Sequence, residues 1–394
     1  MKGAVELQRK IYEGGIVACE TEMEVKMSMN HYMPTRLITG KGCVKKSLEE
    51  WKRMGDRLLI VTGRNSARAC GALEDVEEAL KANGQKWTLY DKIGQNPKLE
   101  DCMEAAKMAT EWGAEGVVGI GGGSPLDAAK CIAVLAANPG MTREQLYGLA
   151  WKNSPLKIAA VGTTAGTGSE VTKVSVITTD GRKKSFHHDG IYPLLAFGDA
   201  GYTMTLPEQF TRSTAVDAMA HCVESYFSKA ADGLSRNFAV AGICLLLEVF
   251  KKIQKSGCAA MTYEDREKCY EASIYGGLAI NKTGTCFPHT MGYLLTEEYG
   301  IPHGTACAVF LPEFYAYNQM AAPGLAEKFL QDIHAGKEEW ISLVESMTPE
   351  CRVSIPEEKI AKAHGRWENN NSIMKCQGEM TADMADDILR RILR

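Results

Sequence analysis

The sequence predicts an α/β domain built on a parallel sheet, followed by an all-α domain. Three observations support this fold class. Short apolar runs alternate with amphipathic helical segments in the first half of the chain, two glycine-rich turns follow such runs, and helical periodicity alone continues after Pro207. Alternating strands and helices are typical of parallel βαβ units, in which helices cover both faces of the sheet.

Predicted strands and predicted helices alternate along the chain from residue 34 onward. Runs that are apolar or alternating predict strands, and segments with apolar residues every three or four positions predict helices. The predicted strands are 57–63, 85–91, 116–124 and 155–164, and the predicted helices are 72–85 and 100–116. The stretch 171–189 alternates on both sides of Asp180-Gly181, which predicts a β-hairpin.

The helical half begins near Pro207, because the patterns that follow are almost wholly of helical period. The clearest segments are 212–228, 236–255 and 266–280. We therefore divide the chain into an N-terminal extension, an α/β domain and a helical domain. Their predicted bounds are 1–32, 33–206 and 207–394.

Composition and charge exclude several classes of function. The formal net charge is -4, so no basic excess points to nucleic acid. The longest mostly apolar run, 238–247, is far shorter than the ~20 residues of a membrane span, and the N-terminus lacks the apolar core of a signal peptide. The 13 cysteines form no C-x-x-C pair and predict reduced thiols. We expect a soluble cytoplasmic protein with no nucleic-acid or membrane partner.

The first glycine-rich turn, VVGIGGGSPLDAAK at 117–130, has the pattern of a strand, a turn and a helix start. Ser124 is predicted to cap the helix, with Pro125 at its first position and Asp127 close to a capping-box arrangement. The three glycines before Ser124 would let a pyrophosphate approach backbone N–H groups at the helix N-terminus. A tight turn without a ligand is the alternative, and this stretch alone supports both interpretations equally.

A second glycine-rich turn, AVGTTAGTGSEVT at 160–172, also follows a predicted strand and adds several hydroxyl groups. Either turn alone would be weak support for phosphate binding. The carboxyl ends of parallel strands converge on the crevice where open α/β sheets bind ligands, so the two turns together predict a dinucleotide cleft.

Asp217 and His221 in VDAMAHCVES lie four residues apart, on one face of a predicted helix. A helical histidine is usually structural or exposed, so this pair alone does not establish a metal site. His289 and His303 belong to FPHTMGYLLTEEYGIPHG, which glycines and prolines interrupt. One carboxylate and three neutral imidazoles would suit Fe²⁺, Zn²⁺, Mn²⁺ or Ni²⁺, any of which could act as a Lewis acid on a carbonyl or alcohol oxygen. Spacing leaves open whether the four side chains converge.

Four motifs resemble the iron-containing (group III) alcohol dehydrogenase family: GGGSPLDAAK, GTTAGTGSEVT, VDAMAHCVESY and GIPHGTACAVFLP. The resemblance covers about residues 33 to 390. It implies an N-terminal dinucleotide-binding domain for NAD(P), a C-terminal helical domain that binds a divalent metal, usually iron, and assembly as a homo-oligomer. Carried over by position, the metal ligands are Asp217, His221, His289 and His303.

Two positions depart from the family pattern. Many members have a histidine four residues after the third ligand, where this chain has Tyr293, so Tyr293 or solvent would replace a proton relay. NAD-selective members often have Asp at the end of IVTG, where this chain has Gly63, followed by Arg64 and Asn65. Without a carboxylate to repel a 2′-phosphate, this stretch favours NADP(H) over NAD(H), although Arg64 could equally be the charge of a solvated turn.

The resemblance also implies a set of cofactor contacts in the glycine-rich turns, in GQNPKLE and in the hairpin. The implied contacts are Gly63, Arg64, Asn65, Asn96, Gly122, Gly123, Ser124, Thr163, Thr164, Thr167 and Lys183. For Lys183 and its neighbour Lys184, solvated hairpin charge is the alternative.

The implied reaction is the reversible reduction of an aldehyde to a primary alcohol, with hydride passing from nicotinamide C4 to a metal-bound carbonyl. The basic stretch GRKKSFHHDG at 181–190 suggests a short or anionic aldehyde, with an exposed hairpin as the simpler interpretation. Two alternatives stay open: a metal-dependent polyol dehydrogenase or related lyase, whose ligands include fewer histidines, and a non-catalytic NADP-binding sensor. Cys222, Cys286 and Cys307 are expected to pack in the core.

Overall fold

Six parallel strands form the central sheet in a computed structural model of the protein, which describes residues 29–348 and 353–392. Their bounds are β1 Arg36–Thr39, β2 Arg57–Thr62, β3 Lys86–Tyr90, β4 Gly116–Gly121, β5 Lys157–Gly162 and β8 Leu195–Gly198; β6 Val174–Thr179 and β7 Arg182–His187 form a separate antiparallel pair. The order across the sheet is β1-β8-β5-β4-β2-β3, and all neighbouring strands run parallel.

The inner strands are apolar on both faces because helices cover both sides of the sheet. All six residues of β4 are buried, and in β2 every residue except Arg57 is buried. The predicted strands 57–63, 85–91, 116–124 and 155–164 are confirmed, with ends that differ by a few residues.

Helices connect the strands. They are α1 Cys43–Lys46, α2 Leu48–Trp51, α3 Ser66–Ala69, α4 Ala72–Ala82, α5 Leu99–Trp112, α6 Gly123–Ala137 and α7 Arg143–Tyr147. In α4, Leu73, Val76 and Leu80 recur at helical spacing and are buried against the sheet layer. α5 ends where Gly113 adopts φ 69°, a left-handed conformation that glycine tolerates best. Both predicted helices of this part are therefore confirmed.

The strands β6 and β7 form the predicted hairpin around Asp180-Gly181. Both turn residues have positive φ, 52° and 73°, as a two-residue type I′ turn requires. The N–H of Thr178 in β6 donates to Pro97 O at 2.7 Å and so ties the hairpin to the loop after β3.

Helices follow β8 in the described part of the chain. They are α8 Glu208–Phe227, α9 Gly233–Ser256, α10 Tyr263–Thr283, α11 Phe287–Tyr299, α12 His303–Ala308, α13 Leu311–Ala321, α14 Pro323–Asp332, α15 Lys337–Ser346, α16 Glu357–Ala363, α17 Asn371–Met374 and α18 Ala382–Ile392. Pro207 directly precedes α8, as predicted. α8 packs against α9, α10 and α12, so most of its residues are buried and it has no single apolar stripe.

Helix α9 has the length and apolar composition of a membrane-spanning helix. It packs against α8 and α10 and buries Ile243, Leu246 and Phe250 in the helical core. A helix in the core of a globular domain has the same composition, because its neighbours replace the lipid as apolar surroundings.

The start of α6 differs from the prediction. The helix begins one residue before Ser124, Gly122 is the residue that precedes it, and no side chain caps it. Ser124 Oγ instead accepts from Asn96 N–H at 3.2 Å, and Asp127 accepts from Ser169 Oγ at 2.6 Å. The predicted Ser124 cap and capping-box role of Asp127 are therefore wrong, because both side chains form hydrogen bonds with residues that are distant in the sequence.

The described cysteines are free thiols, as predicted. The predicted N-terminal extension, 1–32, lies outside the described residues except for 29–32. The described residues from His31 onward form one compact unit, and the boundary between 206 and 207 stays a prediction.

Candidate metal and cofactor site

Helix α8 carries Asp217 and His221 one turn apart on the same face, and both side chains are buried. The second glycine-rich turn lies against this helix, with Gly166 O 3.3 Å from His221 Nδ1. A Cβ at Gly166 would lie 2.6 Å from Thr214 O. Glycine is therefore what lets the turn after β5 touch the histidine on α8.

His289 and His303 come from the N-terminal ends of α11 and α12. Pro302 directly precedes α12, so His303 is the first residue of that helix. Gly304 lets α12 lie against α8, because a Cβ there would be 1.8 Å from Ser213 O. This close approach brings His303 to the face of α8 that carries the carboxylate.

The four predicted ligands converge in space. Asp217 Oδ1 is 3.5 Å from His289 Nε2 and 4.0 Å from His303 Nε2. The His221 ring stacks on His289 with ring centroids 4.6 Å apart, and the His303 ring lies 5.3 Å from His289. The fold thus assembles one carboxylate and three imidazoles from three helices.

Two buried atoms in this group have no hydrogen-bond partner among the described residues: Asp217 Oδ1 and His289 Nε2. A buried polar atom left unpaired costs about 1–3 kcal/mol. A cation bound by both atoms would remove this cost. Carboxylate and imidazole are donors for Fe²⁺, Zn²⁺, Mn²⁺ and Ni²⁺, so these residues fit a divalent metal.

Protonation at three of these residues agrees with cation binding. Burial raises the pKa of Asp217, but the three imidazoles outweigh burial and lower it, so the carboxylate is ionised. Burial lowers the pKa of His221. Burial and the charge of Lys183 together hold the pKa of His303 well below its usual range. A metal would therefore meet an ionised carboxylate and two neutral imidazoles.

Glu224 contacts one of the predicted ligands, and it was not identified from the sequence. Its side chain is fully buried, Oε1 is hydrogen-bonded to His289 Nδ1, and Oε2 accepts from the N–H of Cys286 at 2.7 Å. Burial lowers the pKa of His289, but the neighbouring Cys307 and Glu224 outweigh burial and raise it. The spacing carried a signal, because Glu224 lies seven residues after Asp217 and thus two turns along the same face of α8.

Cys307 lies beside the predicted ligands. It follows His303 by four residues on α12, and its Sγ is 3.6 Å from His303 Nδ1. The donor atoms of Asp217, His289, His303 and Cys307 all lie within 4.8 Å of one another. The expected packing role of Cys307 is therefore incomplete, since the thiol also adjoins the candidate metal site.

Tyr293 and Lys183 form one wall of the site. The ring of Tyr293 stacks on His303 with centroids 5.4 Å apart, and Lys183 Nζ lies 5.2 Å from the centre of the Tyr293 ring. The backbone N–H of Lys183 donates to Glu297 Oε1 at 3.2 Å. Burial lowers the pKa of Lys183 and raises that of Tyr293 to about 12. The alternative interpretation, that these lysines are solvated charges of a hairpin, fits the exposed Lys184 but not the half-buried Lys183.

The two glycine-rich turns meet at the carboxyl edge of the sheet, where β4 and β5 are adjacent and parallel. A Cβ at Gly122 would lie 2.9 Å from Thr164 Oγ1, and one at Gly123 would lie 2.8 Å from Thr167 Cγ2. Thr163, at the end of β5, is buried. The missing side chains of the first turn therefore provide the room that the second turn occupies.

The other predicted cofactor residues lie at the same edge. Gly63 follows β2, and Arg64 and Asn65 after it are exposed. Asn96 has a φ of 57° and contacts Ser124 of the first turn through its N–H. β2 and β4 are neighbours in the sheet. The chain continues from β2 to β3 on one side of this pair and from β4 to β5 on the other side. This is the switch point at which open α/β sheets bind ligands.

Comparisons with known proteins agree with this geometry. A family model described as iron-containing alcohol dehydrogenase matches residues 34–200, and the C-terminal model of the same family matches residues 211–364. The chain belongs to the iron-containing alcohol dehydrogenase family. This match confirms the resemblance found in the four motifs. As an iron-containing alcohol dehydrogenase, the protein is an NAD(P)-dependent oxidoreductase of aldehydes and alcohols.

Curated relatives of this iron-containing alcohol dehydrogenase include aldehyde reductases. A sulfoacetaldehyde reductase of Bilophila wadsworthia is 31% identical over 301 residues, which cover 75% of this chain and 76% of the relative. A lactaldehyde reductase of Escherichia coli K12 is 32% identical over 286 residues, covering 71% and 73%.

Solved structures of the family share the fold. An iron-containing alcohol dehydrogenase of Thermotoga maritima is 29% identical with a TM-score of 0.85, covering 92% of this chain and 99% of its own. A sulfoacetaldehyde reductase of Bifidobacterium kashiwanohense, in complex with NAD⁺, is 26% identical with a TM-score of 0.83, covering 93% and 99%. The predicted parallel-sheet domain followed by a helical domain is therefore confirmed.

Proposed function

We propose that this enzyme reversibly reduces a short aldehyde to a primary alcohol at a divalent cation, with a nicotinamide cofactor as hydride carrier. The proposed ligands are Asp217, His221, His289 and His303. The observation that carries the proposal is the pair of buried atoms Asp217 Oδ1 and His289 Nε2, which lie 3.5 Å apart and have no hydrogen-bond partner among the described residues. They lie beside the helix face that the second glycine-rich turn touches. Fe²⁺ is our first choice of ion from the family, and the same donors would accept Zn²⁺, Mn²⁺ or Ni²⁺.

A bound divalent cation would supply Lewis acidity toward a carbonyl oxygen, and nicotinamide would donate or accept hydride at C4. The chain supplies position and electrostatics. Gly122 and Gly123, at the start of α6, would hold the pyrophosphate of the cofactor through their backbone N–H groups. Because Asp217 is buried, water screens the charge of its carboxylate little, which strengthens its hold on a cation.

We propose a positioning role for Tyr293, in place of the tentative catalytic role suggested by its sequence position. Its ring stacks on His303 at an interplanar angle of 12°, which fixes that imidazole. Tyr293→Phe keeps the ring and should keep kcat within about threefold, whereas Tyr293→Ala should lose metal affinity. Equal losses of kcat in both variants, with metal content unchanged, would instead assign proton transfer to the hydroxyl.

NADP(H) is the proposed cofactor. Gly63 provides no carboxylate at the position where a 2′-phosphate would lie, and the exposed Arg64 follows it directly. An Arg guanidinium can hold a phosphate by two parallel hydrogen bonds.

The proposed substrate is a short aldehyde that carries an anionic group. Lys183 is half-buried beside Tyr293, and its ammonium group forms no ion pair with a carboxylate of the described residues. A positive charge with little access to water and no carboxylate paired with it among the described residues attracts an anion. Two relatives are named for sulfoacetaldehyde and lactaldehyde, of which the first is itself anionic.

Lys183 is also a predicted cofactor contact, and one comparison separates the two roles. Lys183→Met should raise KM for an anionic aldehyde about tenfold relative to a neutral aldehyde of equal length. Lys184→Met, in the exposed neighbour, is the matched control. An unchanged ratio of the two KM values, together with a raised KM for cofactor, would leave Lys183 as a cofactor contact only.

The decisive experiment is anaerobic turnover of Fe²⁺-loaded enzyme, followed by loss of reduced nicotinamide with NADPH and with NADH. Activity should require metal and should disappear in His289→Ala. His334→Asn, in an exposed histidine outside the site, is the control. Metal-loaded enzyme that turns over neither neutral nor anionic short aldehydes would contradict the proposed substrate class.

A homo-oligomeric state and a cytoplasmic location are further proposals. The family resemblance supports the first, and the free thiols of the described cysteines support the second. Light scattering after size-exclusion chromatography would measure the first, and cell fractionation the second.

A further inference from the structure

Cys307 has the position of a metal donor. On α12 it lies one turn after His303, and its Sγ is 3.6 Å from His303 Nδ1 and 3.9 Å from His303 Nε2. Its side chain is fully buried, and a Cβ at Gly292 on α11 would come within 2.8 Å of the sulfur. The thiol is thus enclosed between two helices that each carry a proposed ligand.

The atoms around this sulfur have the spacing of a coordination shell. Asp217 Oδ1 is 3.5 Å from His289 Nε2 and 4.0 Å from His303 Nε2. Donors that surround one ion at roughly 2.0–2.3 Å in a tetrahedron are about 3.5 Å apart. The donor atoms of these three residues and Cys307 lie within 4.8 Å of one another, a group that does not include His221.

The group also contains atoms that need a partner. Asp217 Oδ1 and His289 Nε2 are buried and form no hydrogen bond with any residue that the structure describes, whereas the ring of His221 stacks on His289 and its Nδ1 lies 3.3 Å from Gly166 O. The sulfur therefore adjoins the two atoms that most require a cation.

We propose that Cys307 Sγ is a further ligand of the divalent cation, in addition to the four ligands proposed above and grouped most closely with Asp217, His289 and His303. The inference rests on the proposed function only in requiring that the site binds a metal. Coordination replaces the thiol proton, which leaves to solvent as the metal–sulfur bond forms. A sulfur ligand shifts the preference of the site from Mn²⁺ toward Zn²⁺ and other ions that accept soft donors.

Cobalt spectroscopy tests the sulfur ligand directly, without any measurement of turnover. Co²⁺-loaded wild type should show visible d–d bands together with a near-ultraviolet band from charge transfer between thiolate and Co²⁺. In Cys307→Ala the d–d bands should remain while the charge-transfer band disappears, and Zn²⁺ affinity should fall by more than about tenfold. Cys222→Ala is the matched control, because Cys222 is a buried thiol next to His221 in the chain.

Each result has one meaning. Visible bands without a charge-transfer band in wild type, or a charge-transfer band that survives Cys307→Ala, would overturn the sulfur ligand and leave the proposed function intact. Failure of wild type to bind Co²⁺ or Zn²⁺ at all would overturn the metal site itself. Should Cys307→Ala not fold, X-ray absorption of Zn²⁺-loaded wild type decides, because the proposal requires a sulfur neighbour at about 2.3 Å.

Discussion

Glu224 is hydrogen-bonded through its carboxylate to Nδ1 of His289, and both side chains are closed off from solvent. The same carboxylate accepts from the N–H of Cys286, at the residue that precedes α11. One buried charge therefore holds the start of a helix and the orientation of an imidazole. Because Nδ1 is engaged, Nε2 is the nitrogen of His289 that is available to a metal.

Glu224→Gln should lower metal affinity by about 10–100-fold, because the amide cannot replace the carboxylate that orients His289 and increases its basicity. Competition between the protein and a chromophoric chelator would measure the dissociation constant. Glu170→Gln is the matched control, since Glu170 is also buried but is bonded to Tyr270. Unchanged affinity in Glu224→Gln would show that Glu224 acts only in packing.

Gly304→Ala should remove metal binding and destabilise the fold. Its Cβ would lie 1.8 Å from Ser213 O and 2.7 Å from Asp217 Cβ, so α12 must move away from α8 and carry His303 with it. Overpacking of this kind costs about 1–3 kcal/mol or more. Metal content by mass spectrometry and the Tm would record both effects. Gly336→Ala, which has nothing within 4 Å of the added Cβ, should change neither.

Gly122→Ala should raise KM for the nicotinamide cofactor about tenfold, since small displacements of a positioning group have effects of this size or larger. The new methyl group would lie 2.9 Å from Thr164 Oγ1 and 3.0 Å from Thr164 Cγ2 and would separate the two turns. Initial-rate kinetics with varied cofactor would measure the change. Gly324→Ala adds a Cβ with nothing within 4 Å and should leave KM as it is. A wild-type KM in Gly122→Ala would mean that the first turn does not bind cofactor.

Gly63→Asp should convert cofactor preference toward NADH. The new carboxylate would repel a 2′-phosphate and should raise KM for NADPH by roughly tenfold or more, with a smaller change for NADH. Gly63→Ala is the control, because its Cβ meets the same neighbour, Ile93 O at 3.2 Å, without the charge. If the Asp and Ala variants show the same ratio of the two KM values, Gly63 does not determine the preference.

The pair His364–Asp386 should make stability depend on pH. His364 Nδ1 is 2.7 Å from the buried carboxylate of Asp386, which also accepts from Trp367 Nε1, and the bond to Asp386 raises the pKa of His364 above its usual value. The folded state then binds a proton more tightly than the unfolded state. The contribution is therefore fully present below about pH 6.5 and is lost as pH rises through the raised pKa.

Thermal unfolding of His364→Gln would test this dependence. The variant should have a lower Tm than wild type at pH 6, and the difference should shrink at pH 9. In an Asp386→Asn background, the Tm difference caused by the same substitution should depend less on pH, since the main partner that raises the pKa is absent while Asp383 and Glu368 still raise it. A difference of equal size at both pH values in the wild-type background would contradict the linkage.

By itself, the sequence predicted strands β2 to β5, the helices α4 and α5, the hairpin at Asp180-Gly181 and, through its motifs, the candidate site residues, whereas β1 and β8 were not predicted. The predicted features follow from local patterns: apolar periodicity, turn residues with positive φ, and motifs whose members are close in the chain. The pair Asp217 and His221 is predictable for this reason, because a helix places residues four apart on one face.

Only the tertiary structure decided the roles of Glu224, Cys307, Lys183 and Ser124. Glu224 meets His289 across 65 residues of chain, and Ser124 bonds to Asn96 across 28 instead of capping its own helix. Lys183 is half-buried, although it belongs to the hairpin, because β7 lies beside Tyr293. Such contacts depend on how closely two elements approach, which the glycines at 166 and 304 set through packing, and local periodicity contains no information about that distance.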